Sequence, residues 1–455
     1  MGYLKRTWAA LVAKVDIPKP TAWPPPKDEQ RVTELLEYGY KRDPVGDKIH
    51  TAFACLFMFC LPLDESPSSI ALLILSIHSL LRLPSTWRTL TPLYNSIVFR
   101  CIVAWTLWSL VSILWSSNQA AGLDHAAALR MTLLPIVLWP VMRHWKYFLG
   151  AFLAGVFIQN TVQLSEFAGS WFLDGQGWLK GGQLGSMTGF ETHSGKLAMF
   201  CGFAALAWMW VLSTNQYRKT AITGLIFCIG GMVVTASLAV AVGFMVAIAS
   251  MCSLVLFYKK ASVKQVFAIV FVLIVVVFST ALTTKEALQS KIQLAAQGLE
   301  DFSEGNIEGN NSTIMRLHWW SLALKQSFDE PAIQHGIFGH GLGSVSTIDF
   351  SKTNSTIRKT TDHTHNSYVQ LLYEEGLIGL ALFFLIFWAM IRTAKSITEN
   401  TNWAQYPICV SGVLFWAVVT FFENSQSSGR PLTMLFLLGV FIMYKNKVTS
   451  GVKKS

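Results

Sequence analysis

The sequence predicts an all-α polytopic membrane protein with about twelve transmembrane helices and one large extramembrane loop that itself contains helices. Three observations carry this reading. Only 14% of the residues are charged while 52% are hydrophobic, and the mean hydropathy is +0.42; soluble domains carry about 25% charged residues. Apolar runs near the roughly 20 residues that cross a bilayer recur along the whole chain. Lys and Arg gather in alternate short turns between those runs.

The elements follow in order. Residues 1–48 read as a cytoplasmic tail. The apolar run after Lys5 and Arg6 is broken by Lys14 and Asp16, unlike a cleavable signal, and leads into Pro-rich 18–26 and a charged stretch. Residues 49–282 hold the first nine spans, at 49–64, 66–83, 95–115, 125–142, 146–165, 195–213, 220–235, 237–257 and 262–282, with an outside loop at about 166–194. Residues 283–365 form the large outside loop, too polar to span. Residues 366–445 hold the last three spans, at 366–391, 403–422 and 430–445, and 446–455 are a second cytoplasmic tail.

The charge pattern sets the count. With the N-terminus inside, the inside turns carry Arg82 and Arg88, Arg143 and Lys146, Arg218 and Lys219, Lys259, Lys260 and Lys264, Arg392 and Lys395, then Lys445 and Lys447. The short outside turns at 62–67 and 116–124 carry none, and 423–430 has Arg430 at its edge. This alternation requires the charge-free stretch 220–257 to be two spans joined by a tight turn near Ala236. The net charge of +10 therefore reads as topology signals and partnership with a bilayer, not as a nucleic-acid footprint. All seven cysteines fall within apolar runs without a CxxC pair and read as small buried hydrophobes.

Cations inside apolar runs are functional candidates by default. Arg100 and Arg130 qualify, with an ion pair or snorkelling as the plain alternative. In the large loop, 311–328 (NSTIMRLHWWSLALKQSF) has helical spacing with Asn311 or Ser312 as cap. Arg316 then lies one turn inside, where a cation opposes the helix dipole, so helix stability does not explain it. A guanidinium near a helix N-terminus suits phosphate oxygens; the alternative is a pair with Glu304 or Glu308. Trp319 and Trp320 suit stacking on Arg316 or a sugar ring, or anchoring at the membrane interface.

The run 336–343 (GIFGHGLG) is a tight loop that lets backbone approach a ligand, with Gly339, His340 and Gly341 as candidates and His335 just before it. It lacks the Lys-Ser/Thr of a Walker loop. The segment 361–380 (TDHTHNSYVQLLYEEGLIGL) places Asp362, His363 and His365 at the mouth of the tenth span. An imidazole there can take a proton from a sugar hydroxyl near neutral pH, oriented by Asp362 or another carboxylate. Zinc is disfavoured by the cramped spacing, and no metal is expected. Glu374 and Glu375 lie deeper, where a carboxylate is costly, and one is expected to pair with a membrane Arg.

Arg316 with the aromatics after it, Pro331 and the turn with Gly339, Gly341 and Gly343, then His365-Asn366-Ser367-Tyr368 running through Glu375-Gly376 to Gly379, resemble the O-antigen ligase and polymerase superfamily. The resemblance implies a glycosyltransferase of the bacterial inner membrane, multi-pass with both termini cytoplasmic and a periplasmic site. It implies transfer of a glycan from undecaprenyl diphosphate to a lipid A–core sugar hydroxyl in lipopolysaccharide biosynthesis, with no nucleotide sugar, metal or other cofactor. His365 would then be the base or orienter, Arg316 would hold the diphosphate, Asn366 would contact substrate, and His363 and Glu375 would be orienting candidates.

Two positions depart from the pattern. Ser237-Leu238 stands where members often have Ser-Arg, and the 166–194 loop offers only Lys180, with Lys196 at the next span. Lys180, Lys196 and Arg130 are the candidate substitutes, although Lys is the looser phosphate partner. Within the superfamily, an O-antigen polymerase and a protein O-oligosaccharyltransferase are the alternatives. Outside it, a lipid-linked glycan transporter is the competing class, expected to show internal repeats that this sequence lacks.

Overall fold

The computed structural model describes residues 32–172, 194–214, 217–235, 237–258, 293, 296–301, 303–304, 312–328, 333–348, 364–399, 405–422 and 429–452. Every regular element among them is a helix. The longer ones are α1 (Val32–Arg42), α2 (Pro44–Cys60), α3 (Glu65–Thr86), α4 (Ile97–Ser112), α5 (Gln119–Ala128), α6 (Trp145–Phe172), α7 (Ser194–Ser213), α8 (Arg218–Val234), α9 (Leu238–Phe257), α10 (Ser312–Phe328), α11 (Ile333–Phe338), α12 (Ser367–Lys395), α13 (Gln405–Phe422) and α14 (Gly429–Val452).

Eight helical stretches among the described residues are long and apolar enough to cross a membrane. They make the chain a multi-pass membrane protein. Leu73 is 61% exposed, Leu80 70% and Leu81 75% on α3. Such a stripe is costly in water and suits lipid.

The run 220–257 is indeed divided, into α8 and α9, with Ser237 as the N-cap of α9. The region expected to form one span at 125–142 differs. After α5 it proceeds through 3₁₀ turns and the short helix Leu134–Leu138. Pro135 and Pro140 each lack a backbone donor, so one uninterrupted ladder cannot form there. The expected span at 262–282 lies outside the described residues.

The core is one apolar body through the bundle, centred on Trp105, Trp139, Phe200, Phe383, Phe415 and Trp416. The helix pairs α9–α13, α7–α8, α4–α12 and α2–α3 pack most extensively. A satellite cluster of Trp319, Ala323, Val345, Ile348 and Tyr373 fastens α10 and the loop after α11 to α12. Asn160 joins α6 to its neighbours, donating to the Phe227 carbonyl at 3.2 Å and accepting from the Cys201 thiol at 3.0 Å. All seven cysteines are free and buried or half-buried.

At the α1 end of the bundle the expected topology charges form ion pairs. Asp47, 1% exposed, accepts from Arg143 at 3.0 Å, lies 3.2 Å from His144 Nε2 and pairs with Arg82 at 3.6 Å. Arg82 also binds Asp43 at 2.8 Å, and Arg143 binds Glu37 at 3.0 Å. Arg100 is exposed and donates to the Tyr94 carbonyl at 3.0 Å, which accounts for it at a helix start.

Candidate functional site

The site end of the bundle is built around a break in α12. Gly376 has φ 70° and ψ −171°, inside what is otherwise continuous helix. Breaking a helix strips partners from the carbonyls before the break, and in a membrane these need replacements. Three consecutive ones are found. The Tyr373 carbonyl accepts from His340 N at 2.8 Å, that of Glu374 from Gly341 N at 2.8 Å, and that of Glu375 from Trp108 Nε1 at 2.9 Å.

The glycine loop is thus the patch over the break. Gly339, Gly341 and Gly343 have φ of 77°, 92° and 85°. A Cβ on Gly339 would collide with the Glu374 carbonyl, and one on Gly376 with the Ile337 carbonyl. The close approach is therefore to the backbone of α12 at Gly339 and to the Ser112 and Ser116 backbone at Gly341, and both amides are bonded within the fold, to the His335 and Glu374 carbonyls. The end of α4 completes the seat: Trp115 Nε1 donates to the Gly339 carbonyl at 3.2 Å, and the Ser112 hydroxyl accepts from Leu342 N at 3.1 Å.

The carboxylates serve the same joint. Glu374 Oε1 accepts from Gly343 N at 3.0 Å and Val345 N at 3.4 Å, and lies 3.7 Å from His125 Nδ1. Glu375, 1% exposed, accepts from Trp105 Nε1 and the Ser109 hydroxyl, each at 2.9 Å. Its partners are an indole and a hydroxyl rather than the expected arginine. Both Glu375 oxygens are bonded to α4, and the residue lies more than two helical turns along α12 from His365, for which it was an orienting candidate. Trp105, Trp108, Ser109, Ser112 and Trp115 were not singled out in the sequence. Their signal was serines at helical spacing among indoles in an apolar run.

His340 stacks between His335 and Tyr373, with ring centroids 4.3 Å from each. Burial, then the neighbouring His335, holds its pKa below the ordinary histidine value. It reads as part of the patch, not as an exposed ligand.

Ahead of the break, α12 begins at Asn366. Its side-chain oxygen accepts from Tyr368 N at 2.9 Å and Val369 N at 3.1 Å, and the residue is 1% exposed. Asn366 is therefore a helix cap, which explains it without substrate. His365 precedes it at φ 55°. A left-handed non-glycine residue costs of order 1–3 kcal/mol and is held there by its surroundings. Its ring lies on Trp319, centroids 5.6 Å apart and 16° from parallel. Trp320 donates to the Thr364 carbonyl at 2.8 Å and packs its ring on Phe421. One turn earlier on α10, Arg316 donates to the Phe422 carbonyl at 3.2 Å.

So α10 brings Arg316 and Trp319 to the junction of His365 with the end of α13. The tryptophans hold that junction together; Trp319, 8% exposed, has a face covered by His365.

The other candidates stand apart from this junction. Arg130 is exposed and donates to the Ala127 carbonyl at 2.7 Å and to Ser69 at 3.3 Å. Lys196 pairs with Glu65 at 3.8 Å. Both therefore reach the first turns of α3. Arg430, 2% exposed at the start of α14, donates to the Leu61 carbonyl at 3.4 Å nearby. Lys180, Asp362 and His363 lie outside the described residues.

The fold and this junction define a polytopic helical membrane protein with an imidazole, a guanidinium and indoles gathered at one end of the bundle. Residues 221–384 match the family model described as O-antigen ligase. Over that segment, from α8 to just past the break in α12, the chain is similar to that family. The match takes in Arg316, the glycine loop, His365 and Gly376. No curated protein matches the chain.

Proposed function

We propose that this protein is a lipid-linked glycan transferase of the O-antigen ligase type. It moves a glycan from undecaprenyl diphosphate to a sugar hydroxyl of lipid A–core at the outer face of the bacterial inner membrane. The observation that carries the reading is His365, held in a strained left-handed backbone against Trp319, one helical turn from Arg316. Neither the cap at Asn366 nor the packing of α10 requires a histidine there.

In this mechanism the His365 imidazole accepts the proton of the acceptor hydroxyl as its oxygen attacks the anomeric carbon. The bond from that carbon to the diphosphate oxygen breaks, and the diphosphate leaves with the electron pair. Expelling a diphosphate calls for fixed positive charge. Arg316 supplies it with the part of its fork not engaged by the Phe422 carbonyl. Arg130 and Lys196, with Arg430 beside them, offer a second group of cations for a donor that extends toward α3 and α14.

The test is lipopolysaccharide gel profiling of a strain lacking the protein, complemented at matched membrane levels with wild type, His365→Ala or Arg316→Ala. Loss of a general base removes roughly 10²–10⁴-fold in rate. Both variants are expected to show bare core with accumulated lipid-linked glycan. A full ladder from both would overturn the assignment.

A further inference from the structure

Between α2, α6, α7, α13 and α14 lies a cavity of about 160 Å³. Its walls are apolar, including Trp145, Phe148, Phe152, Trp210 and Phe441, and Ala207 and Gly412 leave the room. It runs from the end of the bundle remote from His365 toward Met58 and Met434. Trp145 opens α6, and Ile408 and Cys409 stand in the first turns of α13, whose far end meets Arg316.

One end of this cavity is cationic. The half-buried Lys445 ammonium lies 4.0 Å from the Trp145 ring centroid, 5.6 Å from Trp210 and 5.7 Å from Phe441. All three rings line the cavity. Lys146, next to Trp145, is close enough to repel Lys445 electrostatically.

An apolar void gives water no hydrogen-bond partners, and left dry it forfeits dispersion contacts along its walls. In a protein that crosses a membrane, hydrocarbon chains fill such a space. A pair of ammonium groups at one end selects an anionic headgroup, as basic pockets between spans do.

We propose that this cavity binds one acyl chain of an anionic phospholipid, with its phosphate held by Lys445 and Lys146, in the leaflet opposite the His365 end. The proposal requires that the chain cross a membrane and is independent of the transferase reading.

The test uses the full chain in nanodiscs of equal parts phosphatidylglycerol and phosphatidylcholine. Native mass spectrometry then reads the lipid kept after release. Wild type is expected to keep one phosphatidylglycerol. Lys445→Gln should lower the preference over phosphatidylcholine about fivefold, the worth of one lysine at an anionic lipid. Ala207→Phe and Leu437→Trp, each filling the space, should abolish retention while remaining monodisperse.

An unchanged preference in Lys445→Gln would overturn the proposal, as would lipid retained by the filled variants. Displacement of the lipid by undecaprenyl phosphate would overturn the choice of occupant. Should both filled variants fail to fold, the lysine variant still decides.

Discussion

His365 carries two opposed requirements in one residue. Its backbone sits at φ 55°, which a Cβ opposes by roughly 1–2 kcal/mol, while its ring is the group the proposed chemistry needs. Replacing it separates the two. His365→Gly is expected to be more stable than His365→Ala by about 1 kcal/mol, since only glycine occupies that region without penalty. Both are expected to lose transfer alike, as checked by thermal unfolding in detergent beside the gel profile. Glu375 should behave in the reverse way. Glu375→Ala leaves the buried Trp105 indole N–H without an acceptor, at about 1–3 kcal/mol, while the Ser109 hydroxyl falls back on the Trp105 carbonyl at 3.0 Å. Its unfolding temperature should fall, while activity per folded molecule is kept. A Glu375→Ala protein of native stability that cannot transfer would instead restore the orienting role.

Among the elements, the glycine loop and the break in α12 are one device. Two of the loop's amides, those of His340 and Gly341, satisfy carbonyls that the break at Gly376 exposes. His340 is stacked within it between His335 and Tyr373, and its pKa is held down by burial and by His335. A histidine with a lowered native pKa binds fewer protons folded than unfolded. Its contribution is therefore complete above about pH 6.5 and declines as pH falls toward the native value. Hydrogen exchange at the Gly341 amide should speed up as pH is lowered through that window, after correction for intrinsic rates, and His340→Asn should remove the dependence. The sequence showed that 336–343 was glycine-rich for close approach, but not what was approached. The answer lies in the α12 backbone at the break, and in Ser112 at the end of α4 and Trp115 in the turn after it, more than two hundred residues before the loop, and one chain carries no signal of such pairing. Local rules worked where the physics is local: the helix over 312–328, and the division of 220–257 demanded by bilayer thickness and charge alternation.

Across the whole molecule, the two ends of the bundle are built differently. The α1 end is an ion network about Asp47, and the site end is a mesh of indoles, hydroxyls and backbone amides around the buried Glu374 and Glu375 carboxylates. Asp47→Ala leaves Arg82, 3% exposed, and Arg143 without their shared anion. Removing one partner of a buried pair costs about 3–5 kcal/mol. The remaining bonds to Asp43 and Glu37 put the expected loss at the low end, about 3 kcal/mol, read as a drop in unfolding temperature. The break at Gly376 has a mechanical meaning for the same architecture. Membrane-crossing helices change their lean when bilayer thickness changes. A straight rod would carry that lean to its tip. Here residues 377–395 are jointed to the stub 367–375, and the stub is clamped to the glycine loop and α4. His365 directly precedes the clamped piece, so a change in the lean of the rod is expected to be taken up at Gly376, leaving the imidazole its bearing on Arg316's helix.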